Sequence, residues 1–161
     1  MNPIFKRFAK WTLCLCMFSL CALLAFFAFQ INASAASTEE IVIYVDSKTG
    51  NDEAAGTTSE MPLKTLSGAI DQLKDSGGRI VVMNAYTFSS VMTEPKHTGT
   101  ITITSNDNVT DYGKSGAKLI FGNTLRYILN GNTVFEDIQI EFGNTLNFIA
   151  NYNRITFGTG V

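Results

Sequence analysis

The chain has 161 residues with 12 Lys and Arg, 14 Asp and Glu and one histidine, a length that a single domain can fill. All three cysteines and the only tryptophan lie within the first 21 residues, so the rest can form neither a disulfide nor a thiolate metal site. Beyond residue 36 there are fourteen acidic and nine basic residues, a net charge of about −5 without a basic stripe. This balance argues against nucleic acid as a partner.

The N-terminus has the pattern of an export signal. Lys6, Arg7 and Lys10 precede an unbroken run of apolar or small residues over Thr12–Phe29, and Ala33–Ala36 supplies a small-residue cleavage site. This predicts a signal peptide over 1–36, cleaved after Ala35 or Ala36, and a secreted or cell-surface mature part over 37–161. The mature part would not be in the membrane. A retained membrane anchor is the alternative, since the apolar run approaches the roughly 20 residues that span a bilayer.

The mature part opens with a predicted strand, a long loop and a helix. Ile41–Val45 is β-branched and aromatic, and the stretch 46–60 is rich in turn-forming residues. A helix is predicted from Thr65 as N-cap to the Gly77–Gly78 stop. Its apolar face would consist of Leu66, Ala69, Ile70 and Leu73.

The later elements are predicted to be strands. Ile80–Met83 is a continuous apolar run, as expected of a parallel strand that is covered on both faces. Thr100–Thr104 alternates strictly, and a polar loop follows over 105–116. Only strands are predicted after that loop.

A repeat near the C-terminus suggests the architecture. Phe-Gly-Asn-Thr-Leu occurs at 121–125 and again at 142–146, an offset of 21 residues, and the match continues to Val134 over Ile155. A leucine-rich repeat shares this period, but its spaced leucines and helical half are absent. Stacked β-coils are therefore predicted, with asparagine ladders such as Asn132 over Asn153. The interior side chains would be Leu125, Ile128, Phe142, Leu146 and Ile149.

Two motif groups carry a resemblance to a known family. Ile43–Asp52, Gly56-Thr57 and Pro62–Leu66 resemble the start of pectin-lyase-like right-handed β-helix proteins. Asn132–Ile140 and Ile149–Gly158 look like coils in large exported surface proteins of Gram-positive bacteria. The resemblance implies an all-β, right-handed parallel β-helix, a solenoid whose open N-terminal end is covered by a capping α-helix.

Members of this fold that cleave acidic polysaccharides bind calcium through clustered aspartates and use a nearby arginine or lysine as base. The coils here offer Asp137 and Glu141 with Arg154 as candidate ligand-binding residues, and Tyr152 as an exposed ring for stacking on a sugar. The alternation of the strand turns Glu141 outward, so the spacing does not imply a shared metal site, and a solvated face is the alternative explanation for these acids. The sequence contains no catalytic constellation.

The opening loop is a second candidate site. Asp46, Asp52 and Glu53 could supply carboxylate oxygens to a calcium ion, the one cofactor that the sequence suggests. Asx turns are the alternative explanation for the same residues. His97, the sole histidine, has no second histidine or cysteine for zinc and is predicted to be a surface residue.

Two functions fit this sequence. The first is a non-catalytic surface scaffold or adhesin module that faces a polysaccharide or cell-wall glycan. The second is the N-terminal part of a polysaccharide lyase or glycoside hydrolase whose active site lies further along a longer chain. The short stack of coils leads to the expectation that the chain is a fragment of a longer protein, marginally stable or self-associating in isolation.

Overall fold

The computed structural model describes residues 39–161, except 124, 145, 151 and 152. The predicted signal peptide over 1–36 lies outside this range. Within it, no helix is long and apolar enough to cross a membrane. The elements are β1 Val42–Val45, α1 Leu66–Leu73, β2 Gly78–Val82, β3 Ala85–Phe88, β4 Met92–Thr93, β5 Ile101–Thr104, β6 Lys118–Phe121, β7 Leu125–Ile128, β8 Thr133–Phe135, β9 Gln139–Phe142, β10 Leu146–Ile149 and β11 Ile155–Phe157, with a short 3-10 helix at Tyr112–Ser115.

The strands form three sheets in which all pairings are parallel. Sheet A has the order β1-β2-β5-β8-β11, sheet B has β3-β6-β9, and sheet C has β10-β7-β4. From β2 onward, successive strands belong to sheets A, B and C in strict rotation. One passage of the chain through the three sheets is called a round. The fold is therefore all-β with parallel sheets, as the sequence predicts, and each strand from β5 onward lies beside the strand that precedes it by one round.

The helix covers the interior at the N-terminal end, as predicted. The Thr65 hydroxyl caps it by accepting a hydrogen bond from the Gly68 amide at 3.1 Å, and its four predicted apolar residues are buried. Gly77 ends the segment with a φ of +74°, and a Cβ there would meet the carbonyl oxygen of Thr100. Only glycine combines that backbone angle with that close approach.

Aromatic side chains fill the interior between the three sheets. Phe88 and Phe121 stack with their ring centroids 4.3 Å apart, and Tyr127 packs edge-on against Phe121 at 5.9 Å. Phe135 lies 6.0 Å from Tyr127, and Phe157 stacks on Phe135 at 5.8 Å. Residues in register on successive strands thus place ring over ring.

The repeat predicts the register of the last strand pair in sheets B and C and misses that in sheet A by one residue. In sheet C, β7 and β10 pair Leu125 with Leu146, the offset of 21 that the repeat predicts. In sheet A, β8 and β11 pair Phe135 with Phe157, an offset of 22. One extra residue between β10 and β11 makes the shift. The offset of 22 places the Phe157 ring over the Phe135 ring, whereas an offset of 21 would place Phe157 over Glu136.

This shift also replaces the predicted ladder of Asn132 over Asn153. The Oδ1 of Asn132 accepts from the backbone amide of Arg154 at 2.8 Å, and the Nδ2 of Asn153 donates to the Leu129 carbonyl at 3.3 Å. The asparagines bind the backbone of the neighbouring round, because that satisfies peptide groups left free at the corners between sheets.

Phe142 is not inside, contrary to the sequence prediction. It is 56% exposed and lies with Ile140, Phe148, Phe157 and Val161 on an apolar surface at the outer edges of β9, β10 and β11. Its register partner Phe121 is 2% exposed because β9 covers it. Phe142 sits on the last strand of sheet B, which has no strand over it among the described residues.

Replacing Ile70 by Asp should lower the free energy of unfolding by at least about 3 kcal/mol, because the carboxylate would enter the interior that α1 covers. Gln72→Asp is the matched control, since Gln72 is exposed on the same helix. Urea unfolding of both variants measures the difference. Equal stabilities would contradict the role of α1 as a cover.

Candidate functional site

Asp46, the first residue of the predicted calcium loop, is engaged by hydrogen bonds from the protein. Its Oδ1 accepts from the amides of Lys48 at 2.8 Å and Thr49 at 3.3 Å. Its Oδ2 accepts from the Thr49 hydroxyl at 2.7 Å and from the Asn84 amide at 2.8 Å. Burial alone would raise the pKa of Asp46, but these donors favour the ionised form and hold the pKa below its ordinary value.

Asp52 and Glu53 make different hydrogen bonds within the same loop. The Oδ1 of Asp52 accepts from the backbone amides of Lys64 and Thr65 at 3.0 and 2.8 Å, and from the Thr65 hydroxyl at 3.0 Å. It thereby fixes the residue that caps α1. The backbone amide of Glu53 closes an Asx turn on Asn51 Oδ1 at 3.1 Å.

The three predicted calcium ligands are thus not gathered into a metal-binding group. Among the described residues, no cluster of three or more His, Cys, Asp or Glu side chains could hold a metal ion. The oxygens of Asp46 and the Oδ1 of Asp52 face N–H and O–H donors, whereas calcium requires oxygen atoms pointing at one centre. The Asx-turn interpretation holds for Asp46, whereas Asp52 accepts from residues 12 and 13 positions further along the chain and Glu53 contributes its backbone amide to the turn of Asn51.

The coil residues predicted as ligands are separated from one another. Glu141 pairs with Lys118, its Oε2 lying 2.6 Å from Nζ, on neighbouring strands of sheet B. Arg154 precedes β11 and is exposed. Asp137 lines a polar groove at the corner between sheets A and B, which neither Glu141 nor Arg154 lines. Tyr152 lies outside the described residues.

The groove that contains Asp137 has a volume of about 380 Å³. It is lined by Ser105, Asn106, Asp111, Gly113, Lys114, Ala117, Asp137, Gln139 and Gly160. Ser105 binds the Asp137 carbonyl through its hydroxyl, and Lys114 pairs with Asp111 at 3.3 Å. The lining offers amide, carboxylate and ammonium groups and has no aromatic ring.

The loop over 105–116 that forms one wall of the groove is held by its own aspartates. The Oδ1 of Asp107 accepts from the amide of Val109 at 2.9 Å and from that of Thr110, and its Oδ2 accepts from the Tyr44 hydroxyl at 3.2 Å. Asp111 caps the short 3-10 helix by accepting from the Gly113 amide at 3.1 Å. These bonds tie the groove wall to β1.

His97 is not a surface residue, contrary to the sequence prediction. Its side chain is fully buried with that of Glu94, and the Nε2 of His97 lies 3.1 Å from the Oε2 of Glu94. The Nδ1 of His97 lies 2.8 Å from the Gly99 carbonyl oxygen. A Cβ at Gly131 would overlap the imidazole ring, so glycine leaves the space that the ring occupies.

Residues of the following round complete this buried cluster. The Thr133 hydroxyl donates to the Glu94 carboxylate, 3.0 Å from Oε1, and the backbone amide of Asn130 lies 3.3 Å from Oε2. Tyr127 is fully buried next to it; burial first, and then the charge of Glu94, raise the pKa of its phenol well above the usual value. The Tyr127 hydroxyl still has no hydrogen-bond partner of suitable geometry in the described part of the chain.

The cluster could not be recognised in the sequence because its members are far apart. Thr133 follows Glu94 by 39 positions and Asn130 follows it by 36. The available signal was the three-residue spacing of Glu94 and His97 directly after a strand, which is common in surface loops. Burial of both side chains depends on the next round of chain folding over them.

Comparisons with known proteins yield no relative. No protein-family model, no curated protein and no solved structure matches this chain.

Asp46→Asn should destabilise the fold by about 1–3 kcal/mol, because the amide nitrogen would face hydrogen-bond donors where a carboxylate oxygen now accepts. Asp46 has a lowered pKa, so its contribution is present above the pKa of the unfolded chain, about 3.9, and is lost as pH falls through the folded value. Urea unfolding at pH 7 and pH 3 should therefore show a smaller gap between variant and wild type at pH 3. A gap that stays constant or grows in acid would contradict this role of Asp46.

Proposed function

We propose that residues 37–161 form turns of a right-handed parallel β-helix that serves as an exported surface scaffold and binds a neutral glycan in the polar groove without catalysing a reaction. The observation that carries the proposal is the strict rotation of the chain through sheets A, B and C with parallel pairing throughout. Repeated rounds of this kind define a solenoid. A right-handed course is favoured because crossovers between parallel strands have that hand in about 98% of cases.

The way the acidic residues are used supports a scaffold rather than a lyase. Asp46, Asp52 and Asp107 hold backbone amides of loops. Glu141 is paired with Lys118 and Glu94 is buried. A lyase of this fold would need several carboxylates converging on one metal ion beside a base, and no observation on the described residues favours that arrangement.

The composition of the groove supports a neutral glycan as ligand. Sugar hydroxyls both donate and accept hydrogen bonds, and the side chains of Asn106, Asp137 and Gln139 offer both kinds of partner. The volume of about 380 Å³ falls in the range of about 300–1,000 Å³ that is usual for small-ligand sites. Lys114 offsets the charge of Asp111, which leaves Asp137 to repel the carboxylates of an acidic polysaccharide, so an uncharged chain fits better.

Gln139→Ala should weaken binding of chitotetraose, a neutral N-acetylated oligosaccharide, by about fivefold, because one hydrogen bond to the sugar would be lost. Asn147→Ala on β10 is the matched control, as Asn147 is also exposed but lies on sheet C. Isothermal titration of wild type and both variants gives the affinities, and polygalacturonate serves as the acidic comparison.

Two results would overturn the proposal. The first is the absence of any binding of chitotetraose and cellotetraose at millimolar concentration, or an equal effect of the two substitutions. The second is the release of unsaturated products from polygalacturonate, which would favour the lyase alternative.

A further inference from the structure

The corner that leads from sheet A to sheet B is longer between β5 and β6 than it is one round later. In sheet A, β5 pairs with β8 at an offset of 32 residues, as Ile101 does with Thr133. In sheet B, β6 pairs with β9 at an offset of 21 residues, as Lys118 does with Gln139. The offset falls by eleven between the two sheets, so eleven residues are inserted at the corner from β5 to β6.

The position of the insertion follows from the two registers. Extended past the strands, the offset of 32 aligns Ser105 with Asp137, and the offset of 21 aligns Ala117 with Ile138. The Ser105 amide donates to the Asp137 carbonyl at 3.2 Å, so these two residues do lie beside each other. Because Asp137 and Ile138 are consecutive, the insertion consists of residues 106–116.

The insertion contributes nothing to the interior of the fold. None of residues 106–116 is buried, whereas Ser105 and Ala117 on either side of them are each 1% exposed. Val109, in the middle of the insertion, is 93% exposed. The following round closes the same corner without these residues, so the three sheets have no need of them.

The insertion folds back on its own base. The amide of Tyr112 donates to the Ser105 carbonyl at 2.8 Å, and the amide of Ala117 donates to the Tyr112 carbonyl at 3.0 Å. Asn106 and Asp111 form an antiparallel bridge. The two ends are therefore close together, as in the compact surface loops of about 6–16 residues that frequently carry function. Insertions in repeat architectures map to loops on one face, which is often the binding face.

The insertion forms one wall of the polar groove. Four of the nine residues that line the groove belong to it, namely Asn106, Asp111, Gly113 and Lys114. The opposite side consists of residues from the two following corners of the chain, namely Asp137, Gln139 and Gly160. Without the insertion, the groove would lose one of the two sides between which a ligand is enclosed.

Tyr44 holds this wall from outside the groove. Its hydroxyl donates to Oδ2 of Asp107 at 3.2 Å, and Oδ1 of the same carboxylate accepts from the Val109 amide at 2.9 Å. Burial first, and then the charge of Asp107, raise the pKa of the Tyr44 phenol, so the phenol keeps the hydrogen that it donates. Tyr44 belongs to β1 and does not line the groove.

We propose that residues 106–116 are the recognition loop of the groove, which the three sheets do not need for folding, and that Tyr44 positions this loop for the ligand. This inference rests on the proposed binding of a neutral glycan in the groove. It goes further because it assigns the affinity to one inserted loop and the position of that loop to a residue outside the groove. Binding and folding should therefore be separable by mutation.

Deletion of residues 106–116 together with Ser105→Asp tests the first part, because this variant copies the corner that contains Asp137. It should keep a cooperative urea transition, since no residue of the deleted segment is buried. Its affinity for chitotetraose in isothermal titration should fall at least about tenfold, because several hydrogen bonds to the sugar are lost with the wall. Asn147→Ala, an exposed change on sheet C, is the control and should leave the affinity unchanged.

Tyr44→Phe tests the second part by removing a single hydroxyl. The loop loses its bond to β1, and the affinity for chitotetraose should fall about threefold to fivefold. Asp107→Asn is the conservative variant and should keep more of the affinity, because its Oδ1 can accept from the Val109 amide while its Nδ2 donates to the Tyr44 oxygen. A merely structural role of Tyr44 would shift the urea midpoint and leave the affinity of the folded protein unchanged.

The outcomes separate this inference from the proposed function. Equal binding of chitotetraose by the wild type and the deletion variant would overturn the recognition loop while glycan binding stands. Wild-type affinity in Tyr44→Phe would overturn the positioning role of Tyr44, and a deletion variant that does not fold would show that the sheets do need the loop. A wild type that binds neither chitotetraose nor cellotetraose would overturn the proposed function and this inference together.

Discussion

Parallel backbone pairing between successive rounds of the chain is the interaction on which the rest of this structure depends. Every strand from β5 onward takes its hydrogen-bond partner from the strand one round earlier in the same sheet. The pairing sets corresponding side chains one above another, which brings Phe121 over Phe88 and Phe157 over Phe135. The stack of aromatic rings is therefore a consequence of the backbone register, and one additional residue between β10 and β11 is accepted because it preserves that stack.

The same dependence makes the first strand a special case. β1 has no earlier round beside it, and its free edge is covered by the opening loop: the Tyr44 amide donates to Gly56 O at 2.7 Å, and the Leu63 amide donates to Tyr44 O at 2.8 Å. Asp46 and Asp52 hold this loop in place, and α1 closes the interior behind it. Asp46 and Asp52, which resemble calcium ligands in the sequence, thus hold the loop that covers the edge of β1, because an open strand edge must be paired or covered.

Much of the fold was predictable because its signals are local. Thr65 as cap, the apolar spacing of α1 and the exact repeat of five residues all act over short distances, and the helix and the parallel register of sheet C follow from them. β3 and β4 were not predicted, since β4 has only two residues and depends on β7 for its pairing. The buried cluster around Glu94 and His97 was harder to predict from the sequence. Glu94 and His97 occur in a polar stretch that indicates exposure, and only contacts 36 and 39 residues away bury them.

A disulfide trapping measurement tests the stacked register most directly, because residues 37–161 contain no native cysteine. In sheet A, Val134 pairs with Thr156, so paired cysteines at these two positions lie on adjacent strands about 4.8 Å apart with side chains on the same face. The pair at positions 134 and 155 follows the 21-residue repeat, but alternation turns its side chains to opposite faces. The account predicts rapid intramolecular disulfide formation in Val134→Cys/Thr156→Cys and little in Val134→Cys/Ile155→Cys. Equal trapping in both, or a preference for the second pair, would contradict it.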